Sequence, residues 1–207
     1  MDINLLKYCS INQQRVSING QILLELTPED THEKSLAQTY RGLGMSYLKF
    51  FKMDKLSKLA TLAAECVLKD TDLYAQAENG AVAVVLSNAS SSLETDANYQ
   101  QTISEADNYF PSPSLFVYTL PNITIGEICI KHKIYGENIF MVSKSFDAEQ
   151  ICFHIKHLFE HTDMQFCLAG WVECNENNYE AFLFLVEKAA WETKFDSETI
   201  NNLYKTK

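Results

Sequence analysis

Hydrophobic positions change period several times along this chain, and each change marks an element. Ile3–Ile11 is a β-rich segment. Val16–Ile18 and Gln21–Leu23 flank Asn19–Gly20, a dipeptide that favours a two-residue hairpin because both positions tolerate positive φ. Residues 34–53 are broken at Gly42 and Gly44 and read as short helices around a turn. Asp54 then caps a helix whose apolar stripe is Leu56, Leu59, Ala60, Ala63 and Val67. Ala81–Ser87 (AVAVVLS) is a continuous run of the kind buried on both faces of a sheet. Ser91–Glu105 reads as a helix, followed by a loop containing Pro111 and Pro113. Pro121 suits the first turn of a helix running to His132, and Phe140–Ser143 is a short strand. Asp147 with Gln150 matches a capping box for a helix reaching His161. Gln165–Val172 and Glu180–Glu187 are two closely spaced strands, and Ser197–Tyr204 is a polar closing helix. Strands and helices alternate without an internal repeat or linker, so the class is α/β and residues 1–207 form a single domain.

Composition narrows the function classes. Apolar content of 46% with 12% aromatic residues is that of a globular protein with a substantial core. The formal charge is −10 and the only arginines are Arg15 and Arg41. Duplex binding needs a cationic surface and base readout leans on arginine, so nucleic acid is excluded as a partner. No positive leader precedes an apolar run at the N-terminus, and the longest apolar run, Ala81–Leu86, is too short to span a bilayer. Six cysteines are scattered with no CxxC pair, which points to free, mostly buried thiols in a reducing cytoplasm.

Several stretches, in order, resemble the β-ketoacyl-acyl carrier protein synthases of fatty-acid and polyketide synthesis. Lys52–Met53–Asp54–Lys55 looks like the entry to their first main helix, and Val84–Val85–Leu86 followed by Ser87–Thr95 looks like their strand and glycine-rich turn. Leu120–Pro121–Asn122 with Gly126 resembles their Leu-Pro-Asn helix, Cys167–Gly170 the strand after the nucleophile helix, and Glu180–Glu187 the last strand of the N-terminal half. The resemblance implies half of a thiolase-like fold: one mixed, mostly parallel sheet flanked by helices. It aligns Met141–Val142–Ser143 with the strand before the nucleophile, which places Phe146 where the family carries its cysteine. A phenyl ring cannot act as a nucleophile. The paired histidines, or histidine and asparagine, that the family draws from its second half have no counterpart in this stretch. The glycine-rich turn is largely serine here, although glycine is what lets a backbone take φ > 0 or approach a ligand closely.

Each candidate has two readings. Phe146 is a plug in an acyl tunnel or a core aromatic at a helix start. Lys49, Lys52, Lys55 and Lys58 recur every three residues beside Phe50 and Phe51: either a stripe for an acidic acyl carrier protein or a solvated face. His154, His157 and His161 share one flank of a helix, a spacing that zinc accepts. The apolar face already accounts for that helix, so a solvent- or interface-facing flank is expected, with neither metal nor cofactor. Cys152 lies more than a turn inside the same helix and reads as structural. Ser143 and Ser145 stand nearest the elbow, but a serine nucleophile needs an adjacent base.

The resemblance implies a non-catalytic ketosynthase-like subunit of fatty-acid or polyketide (aryl-polyene) synthesis, similar to a chain-length factor. Pro121, Asn122, Phe146, Ser90 and Ser91 would contribute to an acyl or partner surface. Its partners would be a second copy or a full-length ketosynthase, and acyl carrier protein. Two alternatives stay open: an acyltransferase or thioesterase using Ser143 or Ser145, and a scaffold protein with no acyl ligand. The apolar arc Ile151, Cys152, Phe153, Ile155, Leu158 and Phe159 is wider than one sheet face buries, which predicts association.

Overall fold

A computed structural model describes residues 2–27, 31–71, 73, 80–105, 107, 109–189 and 195–206. Seven strands form one sheet in the order β3-β2-β1-β7-β6-β4-β5. They are β1 (Asp2–Asn12), β2 (Arg15–Ile18), β3 (Gln21–Glu25), β4 (Val82–Asn88), β5 (Asn138–Val142), β6 (Phe166–Asn175) and β7 (Asn178–Ala189). β4 pairs in parallel with β5 and β6, while the other four pairings are antiparallel. Only β2 and β7 run against the remaining strands, so the sheet is mixed. The expected "mostly parallel" character therefore holds for strand direction but not for pairing, because three hairpins and the long β1–β7 ladder contribute antiparallel neighbours.

Local signals produce the expected elements. Asn19 and Gly20 both take positive φ, +51° and +79°, as a hairpin turn of mirror-image type requires. Asp54 accepts a hydrogen bond from the Ser57 amide and starts α2 (Lys55–Leu68). The broken stretch before it becomes α1 (His32–Gly42) and a 3₁₀ turn, Leu48–Lys52. The helix expected over 91–105 is shorter, α3 (Leu93–Gln101), and α4 (Pro113–Val117) follows with Ser112 as its cap. Pro121 sits in the turn just ahead of α5 (Ile123–His132) rather than inside its first turn, and Asn122 is the cap. α6 (Ala148–His161) and α7 (Ser197–Lys205) are capped by the side chains of Asp147 and Asp196.

The apolar runs of β4, β6 and β7 serve two cores. Val84, Leu86, Leu168, Val172, Leu183 and Leu185 point into a core shared with α1, α2 and α5. Ala83, Val85, Cys167, Ala169, Phe182, Phe184 and Val186 point into the other, shared with α6 and α7. Helix–sheet–helix layering is why these strands lack alternation. α2 is buried nearly all round, including Ser57, Thr61, Leu62 and Cys66. Its stripe is wider than the sequence suggests because α1, α5 and the sheet enclose it together. Gly170 takes φ +148°, and a Cβ there would run into the carbonyl of Phe182 on the neighbouring strand.

Candidate functional site

Parallel β4 and β5 end side by side, with Asn88 opposite Val142, and their following loops define the candidate site. The Ser143 amide donates to the Asn88 carbonyl at 2.9 Å, which ties the two loops together. Phe146 immediately precedes the Asp147 cap of α6. Its ring stacks on Tyr204 of α7 with centroids 4.1 Å apart and an interplanar angle of 21°. Edge contacts join it to Phe182 at 5.7 Å and Trp171 at 6.5 Å. Trp171 Nε1 and the Tyr204 hydroxyl both donate to Glu180 Oε1 at 2.9 Å, and burial beside that carboxylate pushes the Tyr204 phenol well above its usual range. Phe146 is thus a half-buried member of an aromatic cluster spanning β6, β7 and α7. A cleft of about 700 Å³ lies beside it, open to solvent and lined by Ser143, Ser145, Phe146, Gln150, Ser197 and Asn201.

The turn after β4 carries a network whose members lie far apart along the chain and share no local pattern. Glu173, buried near the end of β6, accepts from the backbone amides of Ala89 (2.7 Å) and Ser90 (3.2 Å), from the Ser90 hydroxyl, and from Asn175 Nδ2 (3.1 Å). Asn88, also buried, donates to the Ser91 carbonyl at 2.8 Å and accepts from the Ser91 amide at 3.0 Å. Ser91 itself takes φ +52°. The positive-φ backbone that glycine normally supplies is therefore present, and side-chain hydrogen bonds offset its cost. Ser90 and Ser91 are half-buried, and the Ser90 hydroxyl is turned inward to Glu173. Asn122 is exposed and Pro121 half-buried.

The nucleophile candidates lack activating surroundings. The Ser143 hydroxyl donates to Gln150 Oε1 at 2.7 Å, and an amide oxygen cannot take up its proton. The same contact corrects the expected capping box: Asp147 caps the Gln150 amide, but the Gln150 side chain turns to Ser143 instead of back to Asp147. Ser145 is exposed. Burial pushes the Cys152 thiol up to about 12 and Cys129 to about 11, and holds Cys9, Cys167 and Cys174 well above the ordinary thiol range. A neutral thiol is a poor nucleophile. All six cysteines are free, and only Cys129 is less than fully buried.

The lysine row is not a free cationic stripe. Lys49 pairs with buried Glu127 at 2.7 Å, Lys58 with Glu33 at 3.1 Å, and Lys55 with Glu94. Lys52 is exposed, as is Phe51, whereas Phe50 is buried. Glu127 also accepts from the Tyr118 hydroxyl at 2.9 Å, so the Lys49 contact joins the 3₁₀ turn to α4 and α5. No three His, Cys, Asp or Glu side chains converge as a metal site among the described residues. The apolar arc of α6 is largely covered within the chain: Ile151, Cys152, Ile155 and Phe159 are buried under the sheet and α7, Leu158 is half-buried, and Phe153 alone is exposed. That removes this arc as a reason for association.

No protein-family model and no curated protein matches the sequence. Solved structures do match the fold. The ishigamide ketosynthase/chain length factor superposes with a TM-score of 0.64 at 17% identity, over 93% of this chain and 64% of that one. The ketosynthase ApeO in complex with its chain length factor ApeC, from Xenorhabdus doucetiae, gives 0.57 at 15% identity, over 92% of this chain and 80% of that one. A type II polyketide synthase acyl-carrier protein in complex with its ketosynthase bound to the hexaketide (AntDE:AntF) gives 0.57 at 11% identity, over 90% and 62%. The chain thus has a thiolase-like half-fold, one mixed seven-stranded sheet with flanking helices, as in these ketosynthases. It spans 64% of the length of the first of them. No helix among the described residues is long and apolar enough to cross a membrane.

Proposed function

We propose that this chain is a ketosynthase-like, non-catalytic subunit that works beside a full-length ketosynthase, in the manner of a chain-length factor, in cytoplasmic fatty-acid or polyketide synthesis of the aryl-polyene kind. The observation that carries this reading is Phe146: at the position the resemblance assigns to the cysteine stands an aromatic ring packed against Tyr204, Phe182 and Trp171. Its neighbours do not make up the loss, since Ser143 is bonded to an amide and burial pushes the Cys152 thiol up. The cleft beside Phe146 is open and polar, which suits a chain that contributes surface to a partner's site more than one that encloses an acyl group.

A partner surface is available. β5 is an edge strand without charge or proline, and Val142 at its end is 58% exposed. Residues 108–126 carry no charged side chain in a chain of net charge −10. On and around this stretch Leu93, Phe110, Phe116, Val117 and Leu120 are exposed. Together they leave on the order of 500 Å² of apolar surface in water. A full-length ketosynthase is the occupant we favour. The paired lysines reduce the case for acyl carrier protein docking at the Lys49–Lys58 row, leaving Lys52 as its free cation.

Co-expression with a full-length ketosynthase, followed by affinity purification and light scattering, should give a complex with the combined mass. The isolated chain should neither decarboxylate malonyl groups nor condense acyl chains, and mass spectrometry after incubation with acyl-CoA should show no covalent adduct. Condensation by the chain alone, or an acyl adduct on Ser143 or Ser145, would overturn the proposal in favour of an enzyme. Failure of every full-length ketosynthase tried to co-purify, with a one-chain mass in solution, would favour a scaffold.

A further inference from the structure

We propose that His157 and His161 form a two-imidazole site for a first-row divalent transition metal on the outer face of α6. The two residues are one helical turn apart, a spacing that brings side chains together on one face. The rings stack with centroids 4.3 Å apart at 26°. Both residues are exposed, so an ion reaches them without opening the fold. Metal–imidazole bonds of about 2.0–2.1 Å at a right or tetrahedral angle need nitrogens roughly 3–3.5 Å apart. In the stacked arrangement the two lone pairs do not converge, so both exposed side chains turn out of the stack to reach one ion.

A second observation prepares one ligand. His161 Nδ1 lies 3.0 Å from the His157 carbonyl oxygen, the final turn of the helix supplying the acceptor. When Nδ1–H donates to that carbonyl, the Nε2 lone pair is left pointing outward. This is the arrangement found for metal-ligating histidines, whose other nitrogen donates to a carbonyl or carboxylate that fixes tautomer and ring orientation. Phe153 lies beside the His157 ring, with centroids 6.2 Å apart at 12°. His154 touches the edge of Phe153 instead, so the pair rather than the triplet is the site. With no third donor converging among the described residues, the remaining coordination positions fall to water or to a donor on another molecule. Imidazole pairs suit copper, nickel and zinc, and affinity should follow Cu(II) > Ni(II) > Zn(II).

The test is isothermal titration of the full, tag-free chain with CuCl₂, NiCl₂ and ZnCl₂. Saturable binding to a single site in that order is expected. His157→Asn and His161→Asn should each weaken it by about tenfold or more, while His154→Asn and Cys129→Ser leave it nearly unchanged. In the wild-type chain, Cu(II) should broaden the ring proton signals of His157 and His161 before any other histidine, a readout that requires no variant. Heats that never saturate, affinity unchanged in the two variants, or binding that disappears with Cys129 instead would overturn the proposal.

Discussion

Replacing Phe146 by alanine tests whether the ring just ahead of α6 is a structural member of the fold. The substitution removes the face-to-face stack on Tyr204 and the edge contacts with Phe182 and Trp171. A fully buried Phe→Ala change costs about 3–5 kcal/mol. Phe146 is only half-buried, so a loss of about 2–3 kcal/mol is expected, of which the Tyr204 stack supplies about 1 kcal/mol. In a domain of this size that lowers Tm by about 5–10 °C. Urea denaturation followed by circular dichroism measures the loss directly. A double-mutant cycle with Tyr204→Leu should return a coupling of about 1 kcal/mol. Stability within about 0.5 kcal/mol of wild type for Phe146→Ala would refute the reasoning, since that is the range of surface substitutions that touch nothing important. Phe146→Cys should destabilise similarly and still fail to condense acyl chains. Residue 146 precedes the Asp147 cap, so its thiol lies outside the first helical turn, where the dipole acts most strongly. It should alkylate at the rate of an ordinary thiol.

Gly170→Ala should cut soluble yield or cost several kcal/mol, on the order of the strongest single-site effects, because its Cβ would meet backbone atoms of Phe182 and Leu183 that cannot turn aside; thermal melts check it. Lys49→Met should cost about 1–2 kcal/mol by leaving the Glu127 carboxylate buried with the Tyr118 hydroxyl, a figure reduced for the exposure of Lys49; Tyr118→Phe in the same background should add to the loss. Burial, aided by Lys131, lowers the His132 pKa to about 4. Between about pH 6.5 and 4 the unfolded chain therefore binds a proton that the folded chain refuses, so stability should fall with pH across that window by about 3 kcal/mol. The difference between wild type and His132→Asn in urea melts from pH 7 to 4 isolates this contribution, and parallel curves would contradict it.

What the sequence determined by itself are the features set by neighbours a few residues away. Asn19–Gly20 folds its hairpin through its own tolerance of positive φ, and Asp54 caps α2 through an amide three residues on. The unbroken apolar run of β4 already meant a strand covered on both faces, and the order of motifs already pointed to the thiolase-like half. The tertiary structure decided everything that depends on distant partners. Glu173 holds the Ala89 and Ser90 amides of the turn after β4 from more than eighty residues away, a partner that no local pattern along the chain announces. Lys49, Lys55 and Lys58 looked like a cationic row until Glu127, Glu94 and Glu33 arrived from three other helices. The apolar arc of α6 looked too wide for one sheet face because the covering helix, α7, lies far along the chain. A residue's period along the chain reports which way it faces. Only the folded chain sets what stands opposite, and in this protein that pairing turned a charged stripe into ion pairs and packed Phe146 against Tyr204, Phe182 and Trp171.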